Sequence, residues 1–238
     1  MRTIRSSGNH KVLGILGGMG PKATLDFYGR VIELTPAQHD QEHIPTIIHS
    51  NTETPNRNES ILKGSHDSLP YLVDGVVFLE HGGADVIVIP CNTAHYYIGD
   101  LRAGVRIPIL SIIEETVLAI QASQSVPDCV GILATDGTKA MNLYGEELKK
   151  AGISYIYPKN DFQAKVMQLI DGVKSGNLVN SGAVLGKIER HCISAGAQAL
   201  ILGCTELPLA ARSCQLQLPV FNPNAILAAS TVALCLAQ

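Results

Sequence analysis

The chain has 238 residues, a formal net charge of −3 at pH 7 and a hydrophobic content of 46%. This length suits one large domain or two small ones, and the apolar fraction is enough for a substantial core. Because the charge is slightly negative and the basic residues are scattered, the composition argues against a nucleic-acid-binding surface and predicts no nucleic-acid partner.

Short apolar runs alternate along the chain with longer stretches of helical periodicity. The predicted strands are, in chain order, Val12–Leu16, Thr46–His49, Val86–Ile89, Ile107–Leu110, Cys129–Leu133, Ser154–Tyr157, Ala199–Leu202 and Pro219–Phe221. The predicted amphipathic helices are Lys22–Leu34, Asp67–His81, Thr138–Lys150, Gln163–Lys174 and Ser181–Ala195. This alternation predicts an α/β fold with mostly parallel sheets that helices cover on both faces.

Both ends of the chain only superficially resemble export or membrane signals. Basic residues precede Val12–Leu16, but this apolar run is very short, leads into glycines and lacks a clear cleavage site. The apolar segment Ala225–Ala237 is well short of the ~20 residues that span a bilayer, and it predicts a packed terminal helix. We therefore expect a cytoplasmic protein without a membrane segment, in which residues 1–10 form a loose extension.

The chain contains the same segment twice. Gly83–Thr93 and Gly196–Glu206 each begin with Gly-Ala, continue through an apolar run and place a cysteine eight positions after the glycine. Two further pairs of segments repeat in the same order, namely Leu13–Leu16 with Val130–Leu133 and Ile107–Leu110 with Leu218–Phe221. Any one match could be the Gly-apolar pattern common to α/β proteins, but three matches in order favour a duplication.

The duplication predicts two pseudo-symmetric α/β lobes. Gln121–Asp128 is polar, contains a proline and has the character of a linker. We expect an N-terminal lobe at 11–120 and a C-terminal lobe at 128–224, with part of the terminal helix packing on the first lobe.

Cys91 and Cys204 are the candidate reactive residues. Each follows an apolar run, and ligands of open parallel sheets bind beyond the carboxyl ends of the strands. Each also precedes a predicted helix, whose positive N-terminal end would favour thiolate over thiol. Thr93 and Thr205 follow closely and could donate hydroxyl hydrogen bonds or cap these helices. Two thiols that face one substrate from opposite sides are what stereochemical inversion at carbon requires.

Other roles for the cysteines are less favoured. A lone cysteine is usually a small buried hydrophobic residue, which is our interpretation of Cys129, Cys192, Cys214 and Cys235. A disulfide between the repeated pair is not expected in a cytosolic protein of this size. A zinc site is not expected either, because no cysteine pair has two-residue knuckle spacing and His95 alone completes no ligand set.

Several polar positions could bind a substrate. The glycine-rich turn Gly14–Pro21 lacks the dinucleotide fingerprint and predicts a pocket for a small carboxylate. Arg57 lies on a predicted pocket-side loop and could bind a carboxylate with two parallel hydrogen bonds, although it could equally be an exposed arginine without a role. Lys165 is less distinctive, and Thr135 and Thr138 could donate to substrate or cap a helix.

Three motifs together resemble the aspartate/glutamate racemase family of cofactor-independent amino-acid racemases, with aspartate racemase the closest type. They are Gly14–Thr24, Pro90–His95 and Gly203–Glu206, and the resemblance covers nearly everything from Lys11 onward. It implies two pseudo-symmetric α/β lobes with the active site between them. It also implies a homodimer that needs neither pyridoxal phosphate nor a metal, so no cofactor is expected.

The resemblance also implies individual roles. Cys91 and Cys204 match the two catalytic acid/base cysteines. Arg57 matches an arginine that holds the side-chain carboxylate of the substrate, and Lys165 is the nearest candidate for a lysine that assists it. Further contacts with the substrate are expected from Met19, Asn92, Thr93, Thr138, Thr205 and Glu206.

The resulting expectation is cofactor-independent racemisation of an acidic amino acid, most simply aspartate, by a two-cysteine, two-base mechanism. Retention of both cysteines favours true racemisation. A glutamate racemase or a broad-specificity amino-acid racemase is the alternative within the same family. An alternative from another class is a non-catalytic amino-acid-binding protein, since two lobes around a cleft also describe solute-binding proteins. Binding alone, however, has no need of paired thiols.

Overall fold

The computed structural model describes residues 10–177, 180–212 and 214–237. Residues 1–9 of the expected N-terminal extension lie outside these ranges. The elements of the first half are β1 (Leu13–Gly17), α1 (Pro21–Leu34), β2 (Thr46–Ser50), α2 (Arg57–Leu62), α3 (Leu69–His81), β3 (Val86–Val88), α4 (Ile98–Gly104), β4 (Ile109–Leu110) and α5 (Ile112–Gln121). Short 3₁₀ turns occur at Asp40–Glu42 and Thr93–Tyr97.

The second half repeats this arrangement. Its elements are β5 (Cys129–Ala134), α6 (Asp136–Ala140), α7 (Gly145–Lys150), β6 (Ser154–Ile156), α8 (Asp161–Ser175), α9 (Ser181–Ser194), β7 (Ala199–Gly203), α10 (Leu207–Ala211), β8 (Val220–Phe221) and α11 (Pro223–Leu236). None of the helices in the described ranges is long and apolar enough to span a membrane.

Each half forms a four-stranded parallel sheet, and this confirms the predicted α/β class. The strand orders are β2-β1-β3-β4 and β6-β5-β7-β8, so corresponding strands occupy corresponding places. β1 and β5 are central in their sheets, and β3 and β7 lie beside them. All residues of β1, β3 and β7 are buried, as expected for strands that helices cover on both faces.

The two lobes share one continuous apolar core. Phe27 of α1 and Val117 of α5 belong to the same cluster as Ile132 of β5 and Leu227 of α11. The terminal helix α11 packs on α1 and α5, while α5 also packs on α7 of the second lobe. The N–H of Lys11 donates to the Cys235 carbonyl at 3.2 Å, which joins the start of the first lobe to the end of the chain. The lobes are therefore joined through the helices α1, α5, α7 and α11.

Two predicted segments differ in the structure. The helix predicted at Thr138–Lys150 is two helices, α6 and α7, because Asn142 between them has φ +48°, a left-handed conformation that no helix interior accepts. Arg57, predicted on a loop, is the first residue of α2. Asn56 caps this helix by accepting hydrogen bonds from the N–H groups of Asn58 and Glu59.

Candidate active site

A small cavity of about 20 Å³ lies between the lobes, beyond the carboxyl ends of the strands. The residues that line it are Met19, Asn56, Arg57, Asn58, Cys91, Asn92, Thr93, Thr135, Lys174, Cys204, Thr205 and Glu206. All of the predicted site residues are among them except Thr138 and Lys165. Larger surface depressions, up to about 470 Å³, lie away from both cysteines.

Cys91 follows β3 and Pro90, and it is only 6% exposed. Its N–H donates to the Ile89 carbonyl at 2.7 Å, and its own carbonyl bonds to Nδ1 of His95 at 2.9 Å. The other ring nitrogen of His95, Nε2, accepts from the N–H of Ile112 at 3.1 Å. Because Nε2 accepts, Nδ1 carries the proton and donates to Cys91. Burial lowers the pKa of His95 to about 4, so this support is a neutral imidazole.

Cys204 follows β7 directly, and it is 7% exposed. Its Sγ donates to Oε2 of Glu206 at 3.0 Å. Burial raises the pKa of the Cys204 thiol well above its ordinary value, and the charge of Glu206 raises it further, although Lys174 acts in the opposite direction. This direction is opposite to the one that the following helix led us to expect for Cys204, and that helix has only five residues.

Three threonine hydroxyls form a network across the cleft. Oγ1 of Thr93 lies 2.9 Å from that of Thr135 and 3.1 Å from that of Thr138, and the latter two are 3.0 Å apart. Thr138 is fully buried and does not line the cavity. Thr138 thus lies behind Thr93 and Thr135 and hydrogen-bonds to both of them. It does not reach the cavity, where a contact with the substrate was expected.

Two other contacts join the lobes beside the cavity. Oδ1 of Asn58 accepts from the N–H of Gly137 at 2.6 Å, and the Thr205 hydroxyl donates to the Pro90 carbonyl at 3.3 Å. These bonds narrow the cleft to a space of about 20 Å³, which has room for about one water molecule and is too small for an amino acid. The lobes must therefore separate at this edge before an amino acid can enter.

Arg57 lines the cavity, but main-chain oxygens engage most of its guanidinium. Nη1 donates to the carbonyls of Thr54 and Pro55 at 3.1 and 2.9 Å, and Nη2 donates to the carbonyl of Met19 at 3.0 Å. Nε is buried and has no hydrogen-bond partner among the described residues. Arg57 thus fixes the glycine-rich turn through Met19 and retains Nε–H and one Nη2–H for another acceptor.

The glycine-rich turn itself is closed by local hydrogen bonds. Gly18 has φ +88°, and a Cβ there would lie 2.5 Å from the main chain of Asn51, so only glycine fits. The Gly18 N–H donates to the Thr24 hydroxyl at 3.0 Å. This N–H is therefore not free to bind the carboxylate that the sequence pattern predicted, and Met19 is the residue of the turn that reaches the cavity.

Lys165 lies outside the cavity, and Lys174 of the same helix lines it. Lys165 Nζ is 3.5 Å from the Asp161 carbonyl and 4.9 Å from the centre of the Phe162 ring, so it lies along the helix surface. Nine residues separate the two lysines, about two and a half helical turns, which places them on opposite sides of α8. The structure does not bring the predicted Lys165 to the cavity, and it brings there Lys174, which the sequence reasoning did not single out.

Asn92 provides a donor without a partner. Its Oδ1 accepts from the hydroxyl of Tyr144 at 2.5 Å, and its Nδ2 is buried with no hydrogen-bond partner among the described residues. An unsatisfied buried amide is unfavourable by about 1–3 kcal/mol. Since Asn92 lines the cavity beside Cys91, its Nδ2 is suited to donate to a substrate oxygen.

The geometry agrees with comparisons to known proteins. The sequence model of the family described as Asp/Glu/hydantoin racemase matches residues 16–231. The chain belongs to this racemase family. Among relatives in the racemase family, the broad-specificity amino-acid racemase RacX of Bacillus subtilis (strain 168) is 34% identical over 233 residues, covering 95% of this chain and 99% of the relative.

Aspartate and glutamate racemases are also similar to this member of the racemase family. The structure of Picrophilus torridus aspartate racemase superposes with a TM-score of 0.83 at 27% identity and covers 94% of each chain. A glutamate racemase of Aquifex pyrophilus is 28% identical over 144 residues, covering 58% of this chain and 53% of the relative. The family is thus shown, while its members differ in the amino acid they act on.

Proposed function

We propose that this protein interconverts the L and D enantiomers of an acidic amino acid, with aspartate as the preferred substrate. The mechanism needs no cofactor, and Cys91 and Cys204 are the two bases. The observation that carries the proposal is the placement of both cysteines, at equivalent strand ends of two lobes, in the wall of one cavity. Membership of the racemase family supports the reaction class.

The two thiols suit an inversion at the α-carbon. One thiolate removes the α-proton from one face, and the opposite thiol delivers a proton to the other face. A single base could return the proton only to the side from which it came. The α-hydrogen is very weakly acidic, so the carbanion needs hydrogen-bond donors that are already in place. Asn92 Nδ2 is one such donor, because it is buried without a partner among the described residues, and the hydroxyls of Thr93 and Thr205 also line the cavity.

The charges around the cavity favour a dicarboxylic substrate. Arg57 and Lys174 are cations in its wall, and Glu206 is the carboxylate. Within the part of the chain that the structure describes, Lys174 forms no ion pair. An acidic amino acid has two carboxylates and one ammonium group, so its second carboxylate would be held by Lys174 and the free donors of Arg57.

Broad specificity is the second candidate. It is favoured by the 34% identity with a racemase of that description over almost the whole chain. Arg57 uses three hydrogen bonds on main-chain carbonyls. The commitment of Arg57 to the main chain makes Lys174 the main determinant of preference for a second carboxylate.

The test is chiral chromatography of purified protein with L-aspartate, L-glutamate and several neutral amino acids, each without added cofactor. We expect D-aspartate to form until the enantiomers are equal, with the highest kcat/KM for aspartate. Comparable turnover of neutral amino acids would favour broad specificity. Tight binding of aspartate without incorporation of deuterium from D₂O would contradict the racemase proposal and support a binding protein.

Two further expectations belong to this proposal. All six cysteines are free thiols, which supports a reducing compartment such as the cytoplasm. The homodimer implied by the sequence resemblance stays a prediction, and sedimentation equilibrium of the purified protein would test it.

A further inference from the structure

Only one of the two thiols is hydrogen-bonded to a carboxylate in the described ranges. Cys204 Sγ lies 3.0 Å from Glu206 Oε2, whereas no side chain there makes a hydrogen bond with Cys91 Sγ. Glu206 is 4% exposed. The Thr205 hydroxyl lies 3.4 Å from the same oxygen, but its shorter contact, at 3.3 Å, is with the Pro90 carbonyl.

Fold stability alone gives no reason for this carboxylate. A buried charge is unfavourable unless it is paired and well hydrogen-bonded. No lysine or arginine of the described residues forms an ion pair with Glu206, and the side chains within hydrogen-bond distance of its carboxylate are a thiol and a hydroxyl. Its place against the sulfur of Cys204 indicates a role in the chemistry of that thiol.

We propose that Glu206 is a positioning residue that keeps a proton on Cys204, so that the free enzyme holds Cys204 as the acid and Cys91 as the base. This inference rests on the proposed racemase function. It replaces the contact with substrate expected for Glu206 by a contact with the second thiol. The groups that face Cys204 are Glu206, Lys174 and Tyr144.

The proton balance of one turnover shows what the pair does. The Cys91 thiolate takes the α-proton and becomes a thiol, while the Cys204 thiol gives its proton to the opposite face of the carbanion and becomes a thiolate. That thiolate then lies beside the Glu206 carboxylate, and like charges at this distance repel. The Cys204–Glu206 pair therefore takes up a proton from water, and Cys91 releases one to water, before the next turnover in the same direction.

The reactivity of the two thiols tests the interaction between Cys204 and Glu206 better than the relative rates of racemisation in the two directions. The two enantiomers have equal free energy in water, so kcat/KM must be equal in both directions whatever Glu206 does. The alkylation rate of each cysteine by iodoacetamide, followed by peptide mass mapping from pH 6 to 11, reports thiolate formation at that cysteine alone. We expect the midpoint for Cys204 in the wild-type protein to lie above the ~8.5 of a free thiol.

Glu206→Gln keeps the shape of the side chain and removes its charge. We expect it to lower the midpoint for Cys204 by about 1–3 pH units, because a like charge no longer disfavours the thiolate. Glu206→Asp keeps the charge and should restore a midpoint nearer to the wild-type value. Glu189→Gln is the matched control: this glutamate is also buried in the second lobe, where it accepts from the N–H groups of Gln217 and Leu218. It should lower thermal stability and leave the Cys204 profile unchanged.

A folded Glu206→Gln protein with an unchanged or raised Cys204 midpoint would overturn the inference. If that variant does not fold, the wild-type profile decides, because a Cys204 midpoint at or below that of a free thiol also overturns it. These measurements need no turnover. If the Cys204 midpoint shifts in Glu206→Gln but the wild-type protein does not racemise amino acids, the interaction of Glu206 with Cys204 is retained and the proposed function is rejected. If the wild-type protein racemises amino acids but the midpoint does not shift, only the inference about Glu206 is rejected.

Discussion

The two cysteines occupy equivalent places in the fold and have different surroundings. Both follow the strand beside the central strand of their sheet, and both are almost completely buried. A neutral histidine holds the main-chain carbonyl of Cys91, and a carboxylate contacts the thiol of Cys204. The duplicated fold therefore determines where the thiols lie, while unmatched neighbours give the two thiols different electrostatic surroundings.

The largest effect is expected from removing either thiol. Cys91→Ala and Cys204→Ala should each reduce racemisation by about 10³-fold or more, since each removes an acid/base group that no other residue replaces. Chiral chromatography measures this loss. Cys204→Ala should still exchange the α-hydrogen of one enantiomer in D₂O, because Cys91 remains as the base, and proton NMR follows that exchange.

Cys129→Ala is the control for these variants, because Cys129 is a half-buried cysteine outside the cavity. It should retain wild-type activity. Racemisation of both enantiomers at a substantial rate by either active-site variant would contradict the two-base mechanism. Exchange by Cys91→Ala in place of Cys204→Ala would reverse the roles that we infer for the two thiols.

The two lysines of α8 differ in position, because Lys174 lines the cavity and Lys165 does not. This difference allows a test of how the substrate is bound. Lys174→Ala should raise KM for aspartate by about 10–100-fold, since a hydrogen bond between charged groups contributes about 1.5–3 kcal/mol. Lys165→Ala is the matched control on the same helix and should leave kcat and KM unchanged. Steady-state kinetics with aspartate and with a neutral amino acid measure both effects. An equal rise in KM for the neutral substrate would show that Lys174 does not recognise a second carboxylate.

His95 hydrogen-bonds to the main-chain carbonyl of Cys91, and its burial should make the free energy of unfolding depend on pH. Its pKa is about 4 in the folded protein and about 6.5 when unfolded. The unfolded chain therefore binds more protons between these values, so stability is fully present above pH 6.5 and decreases as the pH falls toward 4. The loss should reach about 3 kcal/mol at pH 4.

Urea unfolding of the wild type and of His95→Gln at pH 5 and 7 measures this loss. The variant should be less stable at pH 7 by about 1–3 kcal/mol, because Ile112 N–H and the Cys91 carbonyl lose an ideal partner. Its stability should also change less between the two pH values. His81→Ala, which removes an exposed histidine, should keep the wild-type pH dependence. An equal pH dependence in all three proteins would exclude His95 as its source.

Most of the fold followed from the sequence, because buried parallel strands are continuous apolar runs. All eight predicted strands are present, with ends that differ by one or two residues. The helix break at Asn142 was missed, since a left-handed asparagine leaves no mark on helical periodicity. The short helix after Asn56 had a signal, an asparagine cap with Glu59 three residues later, which could have found it.

The candidate site residues that directly follow a strand could be located from the sequence. The cysteines and the residues beside them follow strands whose ends could be located from the sequence. Lys174 depends on the rotation of a 15-residue helix, which composition does not define. The hydrogen bond from Cys204 to Glu206 depends on the side-chain conformation of two residues that are two positions apart. No rule of sequence spacing predicts that conformation.

The smallest effect is expected at the far side of the lobes, where α11 meets α1. Asp26 accepts from Arg30 at 2.8 Å, Arg212 at 2.7 Å and Asn224 at 3.0 Å. The corresponding helix of the first half, α5, contributes Val117 to the shared apolar core, as α11 contributes Leu227. Burial raises the pKa of Asp26, but its hydrogen bonds and the two arginine charges outweigh burial and lower it. Its stabilising effect is therefore present above the unfolded pKa of about 3.9 and is lost as the pH falls further.

Asp26→Ala should destabilise the protein by about 1–3 kcal/mol at pH 7, because the buried side-chain amide of Asn224 loses its acceptor. Arg212→Ala should have an effect below about 1 kcal/mol, since the arginine side chain is 66% exposed. Urea unfolding measures both, and kcat should stay at the wild-type value because the contact lies away from the cavity. If instead Arg212→Ala proved as destabilising as Asp26→Ala, the polar contact between α1 and α11 would depend on the ion pair across the lobes. The buried hydrogen bond to Asn224 would then be a minor part of it.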